Sequence, residues 1–507
     1  MASILTNTSA MVALQNLRSI NSDLVSTQNE IATGKSVATA KDNSAIWAVS
    51  KVIESDVNSF QAISDSLNLG DATVSVGREA AETVTELLTE LKGNIVAAQE
   101  ENVDRTKIQA DIDTQVEQIE SIVAAASFNG LSLVEGTDDV TILGSLQRDS
   151  AGNVSASEIS ISRGDLTNQT GSLGTGTTTN LAANVTPTST TLSSTAVRDD
   201  GAGTPTAADI ALAGDLSDGS VSFDIGGTVI SFGAGELSAT AATAGDTIAA
   251  AINAAGIDGI SVNNNSGTLE FSSTVAFSDT LVTATSAATG TVGGGASASI
   301  TLDERAETFS FSSAAVDEGD GYRFAFAGVS ATYVAGQNET MKDVVEGLKL
   351  QIDASNDSNI TTQVVQNGSQ FELKIDNAGA VDATVVITAN KDDNNNAVVT
   401  GGLSGLGGLN VTTNETAAAA LSNIDTLINT AIDAAASFGS DQSRIELQSG
   451  FITKLTDSLK QGIGSLVDAD LEATSARLQA LQVQQQLGIQ SLSIANQAPQ
   501  SILSLFR

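Results

Sequence analysis

Apolar residues recur at helical spacing near both ends of the chain. Between Ile4 and about Gly34 they are separated by three, seven and seven residues, which is the spacing of a heptad seam, at Leu14, Leu17, Leu24 and Ile31. Between Val467 and Arg507 a second stripe consists of Leu471, Leu478, Leu481, Leu487 and Ile494, with glutamines on the remaining face. Each pattern predicts a long amphipathic helix whose apolar stripe requires a partner.

The C-terminal segment also ends in apolar residues, whereas most soluble chains end in polar and frayed ones. Leu503, Leu505 and Phe506 follow Pro499. This end of the chain could be buried within one subunit or between subunits. Because both terminal stripes lack another partner in the sequence, we expect the two segments to pair with each other.

Helical periodicity continues inward from both ends. The first tract runs from Ser44 to about Ser127, with predicted interruptions near Gly70, near Gly77 and between Gly93 and Asn102. Phe128, Asn129 and Gly130 stop this tract, because asparagine and glycine tolerate the left-handed conformation of a helix terminus. Alternating residues then predict a β-hairpin over Val140 to Leu146 and Ser157 to Ile161.

The middle of the chain contains an internal duplication. Two hairpin-forming strands, a helix and two further strands occur over about Gly214 to Gly295, and the same order returns over about Asp320 to Gly402. The intervening segments are rich in serine, threonine, alanine and glycine, and they are predicted to be linkers.

These patterns predict an α+β chain in which both termini form a long coiled-coil or bundle core around a β-rich, duplicated (ββαββ-like) insert. The terminal core helices are 1–43 and 467–507, and the helical packing domain combines 44–165 with 415–466. The outer β-rich units are 214–295 and 320–402, and the linkers are 166–213, 296–319 and 403–414.

Composition leaves few residues for catalysis or metal binding. The chain has no histidine, no cysteine and a net charge of -38, which disfavours nucleic acid as a partner. Gly34-Lys35-Ser36 lacks the glycine that a phosphate-binding loop needs five residues earlier, where Asn29 stands. Asp392 to Asn396 lacks the glycine and the terminal glutamate of an EF-hand and is predicted to be a solvated turn. We therefore predict no catalytic, metal or cofactor site.

Neither a cleaved signal nor a membrane span is expected. Met1 to Ser9 has no basic region followed by a long apolar one, and no apolar run reaches the ~20 residues of a membrane helix. Such a chain is expected to stay in the cytoplasm, or to leave the cell by a route that reads no conventional signal.

Short motifs at both ends, covering about Met1 to Asp165 and Glu415 to Arg507, resemble bacterial flagellin, the subunit of the flagellar filament. Their order and position relative to the termini make the resemblance specific. Gly245 to Asn253 also resembles the IN motif of flagellin and hook-associated inserts. The terminal motif residues are Ala40, Lys41, Asp42, Phe128, Asn129, Gly130, Asp468, Asp470, Asn496, Gln497 and Pro499.

The resemblance implies a structural, non-enzymatic subunit that polymerises into the extracellular helical filament used for swimming. In that family the termini are disordered in the exported monomer, form a coiled coil on assembly and line the filament core, while the insert faces solvent. The terminal apolar residues named above would then serve polymerisation and core packing. Implied partners are other copies of the chain, hook-associated junction and cap proteins, and an export chaperone at the C-terminal helices. Secretion through the flagellar type III apparatus is implied as well.

Two further consequences concern recognition and the alternatives. In many flagellins an innate immune receptor reads an arginine-rich helix that aligns with Leu88 to Val96, where this chain has Glu90, Lys92 and Gly93. Reversing a charge at a complementary contact lowers affinity and on-rate, so poor recognition is expected. The alternatives are a hook-filament junction protein and a secreted adhesin with a carbohydrate-binding insert.

Overall fold

A computed structural model describes residues 7–148, 154–175, 181–194, 208–392 and 396–505. Long helices at both ends flank a β-rich centre, so the predicted α+β class is confirmed. The helices of these ranges are α1 (Thr8–Thr33), α2 (Ser44–Ala97), α3 (Arg105–Ala125), α4 (Ala241–Ala254), α5 (Met341–Asp353), α6 (Asn414–Val467) and α7 (Leu471–Leu505).

The strands are antiparallel to their neighbours throughout the pairings seen in these ranges. In chain order they are β1 (Ser127–Phe128), β2 (Leu131–Ser132), β3 (Val140–Arg148), β4 (Val154–Ile161), β5 (Val185–Pro187), β6 (Thr191–Leu192), β7 (Ala208–Ala213), β8 (Val221–Ile225), β9 (Thr228–Phe232), β10 (Ile260–Asn265), β11 (Thr268–Ser273), β12 (Thr280–Ser286), β13 (Thr291–Val292), β14 (Ser297–Leu302), β15 (Glu307–Phe311), β16 (Gly321–Phe326), β17 (Val329–Val334), β18 (Ile360–Asn367), β19 (Gln370–Asn377), β20 (Ala383–Thr384) and β21 (Val386–Asn390).

The chain divides into two compact units. The terminal unit consists of Met1–Ala72, Thr141–Ser160 and Gln442–Arg507, and the central unit consists of Thr73–Val140 and Ile161–Asp441. The terminal unit contains α1, α7, the start of α2 and the end of α6. The central unit contains α3, the rest of α2 and α6, and the β-rich insert.

Helix α2 is continuous through Gly70 and Gly77, so the interruptions predicted there are wrong. Both glycines are buried and lie on the packed face of the helix. A Cβ atom at Gly70 would lie 2.2 Å from Cδ1 of Ile142, and one at Gly77 would lie 3.2 Å from Cβ of Leu133. These glycines therefore allow close packing and do not break the helix.

The break between α2 and α3 is present as expected, although α2 passes through Gly93 before it ends. Helix α3 begins after Asp104, whose side chain accepts a hydrogen bond from the backbone N–H of Lys107, as an N-cap residue does. At the end of α3, Asn129 and Gly130 have φ values of 52° and 80° and form the tight turn between β1 and β2.

The predicted hairpin is present as the pair β3 and β4 in the terminal unit. Its turn, Asp149 to Asn153, lies outside the described residues. Gly144 in β3 faces Ile159, and a Cβ atom there would lie 2.9 Å from Cγ1 of Ile159. The amide of Gln448 on α6 donates to the carbonyl oxygen of Gly144 at 3.0 Å, which fixes the hairpin to the helix.

The insert consists of two β modules whose sheets share an inner strand order and differ in their outer strands. The first β module (208–302) has sheets ordered β14-β12-β8-β9 and β10-β11-β7-β13, with α4 packed against the second of these sheets. The second β module (307–390, joined by β5 from the earlier segment) has sheets ordered β17-β16-β21 and β18-β19-β15-β5, with α5 packed against both. Both contain the predicted hairpin, helix and hairpin.

Segments expected to be linkers contain strands. In 166–213 these are β5, β6 and β7, and in 296–319 they are β14 and β15. Strands β7 and β15 play equivalent roles, because each pairs with the last strand of its module's second hairpin, β11 or β19. The repeating unit thus starts one strand earlier than the sequence pattern indicated. The segment 403–414 holds a 3₁₀ turn, Leu406–Gly408.

Each module has its own apolar core. In the second module the aromatic rings of Phe309 and Phe324 lie edge to face with centroids 5.1 Å apart. Arg305 links the modules. Its backbone N–H donates to the carbonyl oxygen of Val275 in the first module at 2.8 Å, and its guanidinium donates to both carboxylate oxygens of Asp376 on β19 at 2.7 Å.

Candidate interaction surface of the terminal helices

Helices α1 and α7 pack antiparallel within the terminal unit. The side-chain amide of Asn7 donates to the carbonyl oxygen of Ala495 at 2.8 Å, and that of Gln485 donates to Asn21 Oδ1 at 2.7 Å. Between these points the helices approach closely, because a Cβ atom on Gly488 would lie 2.9 Å from Cδ1 of Leu17. The predicted pairing of the two ends therefore occurs within a single chain.

One stripe of α7, which we call the covered stripe, faces α1. Its positions are the less exposed ones of the helix and follow each other in alternating steps of four and three residues: Thr474, Leu478, Leu481, Gln485, Gly488, Leu492 and Ala495. The less exposed positions of α1, apart from Glu30, follow the same rule: Ala10, Ala13, Leu17, Ile20, Leu24, Thr27 and Ile31. These steps are those of a coiled-coil seam.

A second stripe of α7, the exposed stripe, is displaced from the first by two residues and follows the same steps. It consists of Ala476, Ala480, Val483, Leu487, Gln490 and Ile494. Val483, Leu487 and Ile494 are 55, 57 and 68% exposed. Large apolar side chains at heptad spacing on a solvated face are typical of a helix that contacts a second partner.

The structure divides the predicted seam residues between these surfaces. Leu17, Leu24, Ile31, Leu478 and Leu481 come together between α1 and α7. Leu14, Leu471, Leu487 and Ile494 are exposed. Leu503 and Leu505 lie in α7, and Phe506 lies outside the described residues. Hydrophobicity alone does not separate the covered stripe from the exposed stripe. The covered stripe includes Thr474, Gln485 and Gly488, which an apolar pattern does not mark.

The connectors, which are the segment between α1 and α2 and the segment between α6 and α7, are hydrogen-bonded to each other. The backbone N–H and the hydroxyl of Ser36 both donate to the carbonyl oxygen of Val467, at 2.7 and 3.1 Å, and the N–H of Ala469 donates to the carbonyl oxygen of Gly34 at 3.0 Å. Lys35 and Asp468 form a β-bridge. This segment follows a helix and not a strand, so the structure gives no support to a phosphate-binding loop.

Two aspartates of the predicted motifs, Asp42 and Asp470, accept backbone hydrogen bonds in these connectors. The Asp42 carboxylate accepts hydrogen bonds from the backbone N–H groups of Thr39 and Ala38, and the Thr39 bonds chiefly lower its pKa. Asp470 Oδ1 accepts from the N–H groups of Glu472 and Ala473 at the start of α7. The other predicted motif residues of this region, Ala40, Lys41, Asn496 and Gln497, are exposed, and Pro499 lies in α7.

The described ranges offer no membrane helix and no metal cluster. None of their helices combines the length and apolar character needed to cross a bilayer. None of their acidic side chains are grouped to hold an ion. In the turn considered for calcium, Asp392 accepts hydrogen bonds from the N–H groups of Asn396 and Ala397, while residues 393–395 lie outside the described ranges.

The segment Leu88 to Val96 is partly core. Leu88, Leu91 and Ile95 are fully buried in the central unit. Lys92 lies on the surface, with its ammonium nitrogen 2.6 Å from Asp425 Oδ1, and Glu90 is exposed.

Glu339, a half-buried residue outside the helix pair, has a raised carboxyl pKa. Glu339 lies in the second β module, where its carboxylate accepts hydrogen bonds from the Tyr333 hydroxyl at 2.9 Å and from the N–H of Gly336 at 3.0 Å. The pKa of Glu339 is raised from 4.5 to about 7, chiefly by burial and to a smaller extent by the charges of Asp343 and Asp165, although the two hydrogen bonds lower it.

This pKa predicts that the second β module loses stability as pH rises. Between pH 4.5 and 7 the folded chain holds the Glu339 proton more tightly than the unfolded chain does. The stabilisation is complete below pH 4.5 and is lost through pH 7, and it amounts to no more than about 3 kcal/mol. We expect Glu339→Gln to raise stability at pH 8 and to change it little at pH 5, because the amide stays neutral.

Both tyrosines of the chain, Tyr322 and Tyr333, are buried in this module, so their near-ultraviolet circular dichroism reports its unfolding in denaturant. Glu318→Gln, an exposed change in the same module, is the control. Equal stabilisation by Glu339→Gln at both pH values would show that Glu339 does not titrate as stated.

Paired terminal helices with one covered and one exposed apolar stripe, together with a β-rich insert, are features of a structural subunit that associates with other subunits. Comparison with known proteins agrees. Residues 4–139 match the family model of the bacterial flagellin N-terminal helical region, and residues 421–506 match that of the C-terminal helical region.

The chain is similar along its whole length to Flagellin A of Rhizobium meliloti, with 30% identity over 513 residues and 100% of both chains covered. It is 41% identical over 138 residues to Flagellin FljK of Caulobacter vibrioides, covering 27% of this chain and 50% of that one. The solved flagellar junction protein FlgL of Legionella pneumophila is 9% identical, with 78% of this chain and 99% of that chain covered and a TM-score of 0.27, too low to support an argument.

The chain belongs to the bacterial flagellin family. It is a structural subunit that polymerises into the flagellar filament, which lies outside the cell.

Proposed function

We propose that the exposed stripe of α7 is the surface through which neighbouring copies pack in the filament, and that α1 and α7 become fully ordered only there. The observation that carries this proposal is the second heptad stripe, which remains solvated while the first is covered by α1. Residues from α1, among them Met11, Leu14 and Val25, extend the solvated apolar surface.

The energetics favour folding coupled to assembly. Ordering one residue costs about 1 to 2 kcal/mol, and burial returns roughly 25 cal/mol per Å² of apolar area. In the single chain Leu481 is the one large apolar side chain buried among the described side chains of α1 and α7, alongside Thr27 and Thr474. A helix pair with so little burial is only marginally stable by itself, and contacts with other copies supply the rest of the stabilisation.

The finer roles rest on the same family membership. The chain acts without enzymatic activity and is secreted through the flagellar type III apparatus. Hook-associated junction and cap proteins bind at the ends of the polymer, and an export chaperone binds the C-terminal helices of the monomer. The exposed apolar stripe supports the chaperone proposal, since a solvated apolar face needs protection before assembly. Glu90 and the Lys92–Asp425 pair support weak recognition by the innate flagellin receptor.

Truncation tests the proposal. We expect a chain that ends before Pro499 to remain soluble and exportable but to form no filaments, because the end of α7 is then missing from the packing surface. Electron microscopy of the purified truncated and complete chains, at equal concentration and with filament seeds added, measures the difference. Filaments formed by the truncated chain would rule out this role for the end of α7.

A further inference from the structure

A basic groove lies beside the connectors of the terminal unit. Lys35 lines it from the segment before α2, Trp47 and Lys51 line it from the first turns of α2, and Lys460 and Val467 line it from the end of α6. It encloses about 290 Å³ and opens to solvent. The three lysines are exposed, and Trp47 is half-buried.

The charge of this groove is opposite to that of the chain. The whole chain carries 22 basic and 60 acidic residues, for a net charge of -38. Among the residues that line the groove, Glu54 is the one carboxylate, and Lys51 neutralises it at 2.6 Å. The hydrogen bond from Lys51, with a smaller contribution from the charge of Lys35, lowers the pKa of Glu54. Lys35 and Lys460 therefore remain to attract a carboxylate from outside.

A matching acidic feature follows the other end of the same helix. Helix α2 begins at Ser44 next to the groove and ends at Ala97, and Glu100 and Glu101 come directly after it. Both glutamates are exposed. The nearby Asp104, by contrast, caps α3 and pairs with Lys107 at 3.3 Å. The dipole of α2 adds to both charges, because its positive N-terminal end lies next to the groove and its negative C-terminal end lies next to the two glutamates.

We propose that the basic groove of one copy of this chain binds the Glu100–Glu101 loop of a second copy. The two surfaces differ, so the contact is heterologous and repeats head to tail, which is the kind of contact that builds an open helical polymer. Copies of a chain this acidic repel each other, and the contact aligns them by placing opposite charges together. The inference rests on the proposed function that copies pack through their terminal helices, and it adds a second, charge-specific contact.

Charge reversal with complementation tests the contact. One chain carries Lys35→Glu and Lys460→Glu, which leaves the Lys51–Glu54 pair intact, and the other carries Glu100→Lys and Glu101→Lys. At low salt we expect each reversed chain alone to assemble with a critical concentration raised about tenfold, the effect of two surface ion pairs and the added repulsion. An equimolar mixture should assemble within about twofold of the unsubstituted chain, because each then presents the charge that the other lacks.

The matched control reverses two exposed lysines outside the groove, Lys41→Glu and Lys454→Glu. It should assemble normally alone, and it should not bring the Glu100→Lys, Glu101→Lys chain into the polymer. Circular dichroism of each monomer establishes that the substituted chains are folded. Because the chain has no cysteine, Lys460→Cys in one copy and Glu101→Cys in another can be joined by a short thiol cross-linker inside mixed filaments. Lys454→Cys should give no cross-link with Glu101→Cys.

Three results would overturn the contact: a mixture that assembles no better than either reversed chain, rescue by the Lys41→Glu, Lys454→Glu control, or cross-linking through Lys454→Cys as strong as through Lys460→Cys. Normal assembly of both reversed chains alone would also overturn it, and this leaves the packing role of α7 standing. If the unsubstituted chain forms no polymer, the proposed function is contradicted, and so is the contact between the groove and the Glu100–Glu101 loop.

Discussion

Replacing Leu487 with lysine is expected to abolish filament formation and to leave the monomer unchanged. Leu487 lies in the middle of the exposed stripe of α7 and is 57% exposed in the single chain, so the lysine stays solvated there. In a filament packed through this stripe the leucine becomes buried, which contributes about 1.5 to 3 kcal/mol per subunit, and a buried lysine costs several kcal/mol more. The critical concentration should rise more than 100-fold.

The measurement is sedimentation of seeded polymer over a concentration series, with circular dichroism of the monomer for comparison. Gln486→Lys supplies the control, because it adds the same charge at the neighbouring exposed position outside both stripes. Filaments of Leu487→Lys at the normal critical concentration would mean that the exposed stripe does not face another copy.

Replacing Arg305 with methionine is expected to destabilise the second β module by about 3 to 5 kcal/mol, since it leaves the Asp376 carboxylate buried without its counter-ion. The Asp376 side chain is 3% exposed and that of Arg305 is 11% exposed. Arg305 also occupies the link between the modules, so its loss removes the polar contact that holds the link against β19.

The double variant Arg305→Met, Asp376→Leu separates charge burial from packing. Removing both charges should restore most of the stability, because a buried ion pair contributes little compared with apolar residues of similar volume. Tyrosine circular dichroism in denaturant measures the module directly. If the single and double variants were equally unstable, packing and not the unpaired carboxylate would be the cause.

The parts of the fold that were predicted are those determined by local pattern. Hairpins with glycine turns, such as Gly226-Gly227 between β8 and β9, and helices with a clear apolar face, such as α5, are specified by residues adjacent in sequence. The α1–α7 pairing was predictable as well, because two heptad patterns at opposite ends had no other partner.

The parts that were missed depend on partners distant in sequence. Strands β7 and β15 are short, with only two large apolar residues each, and they are extended because β11 and β19 supply their hydrogen bonds. Glycine disfavours helices locally, so the sequence predicts a helix break near Gly70, whereas the role of Gly70 is set by its contact with Ile142 in another element.

The sequence predicts which residues form the interaction surface, but not which of them face α1 and which face solvent. Leu481 and Leu487 are alike in sequence, and one faces α1 while the other faces solvent. The small or polar residues Thr474, Gln485 and Gly488 lie on the covered stripe with Leu481, and the close approach of α1 to these residues decides which leucine it covers. The basic groove combines residues from three segments and has no local signature.

Hydrogen exchange of backbone amides in α1 and α7, compared between monomer and filament, tests most directly the claim that these helices are completed by assembly. We predict exchange in the monomer close to that of an unstructured chain, apart from the amides around Leu481, and strong protection in the filament along both helices. Equal protection of α1 and α7 in monomer and filament would contradict the claim.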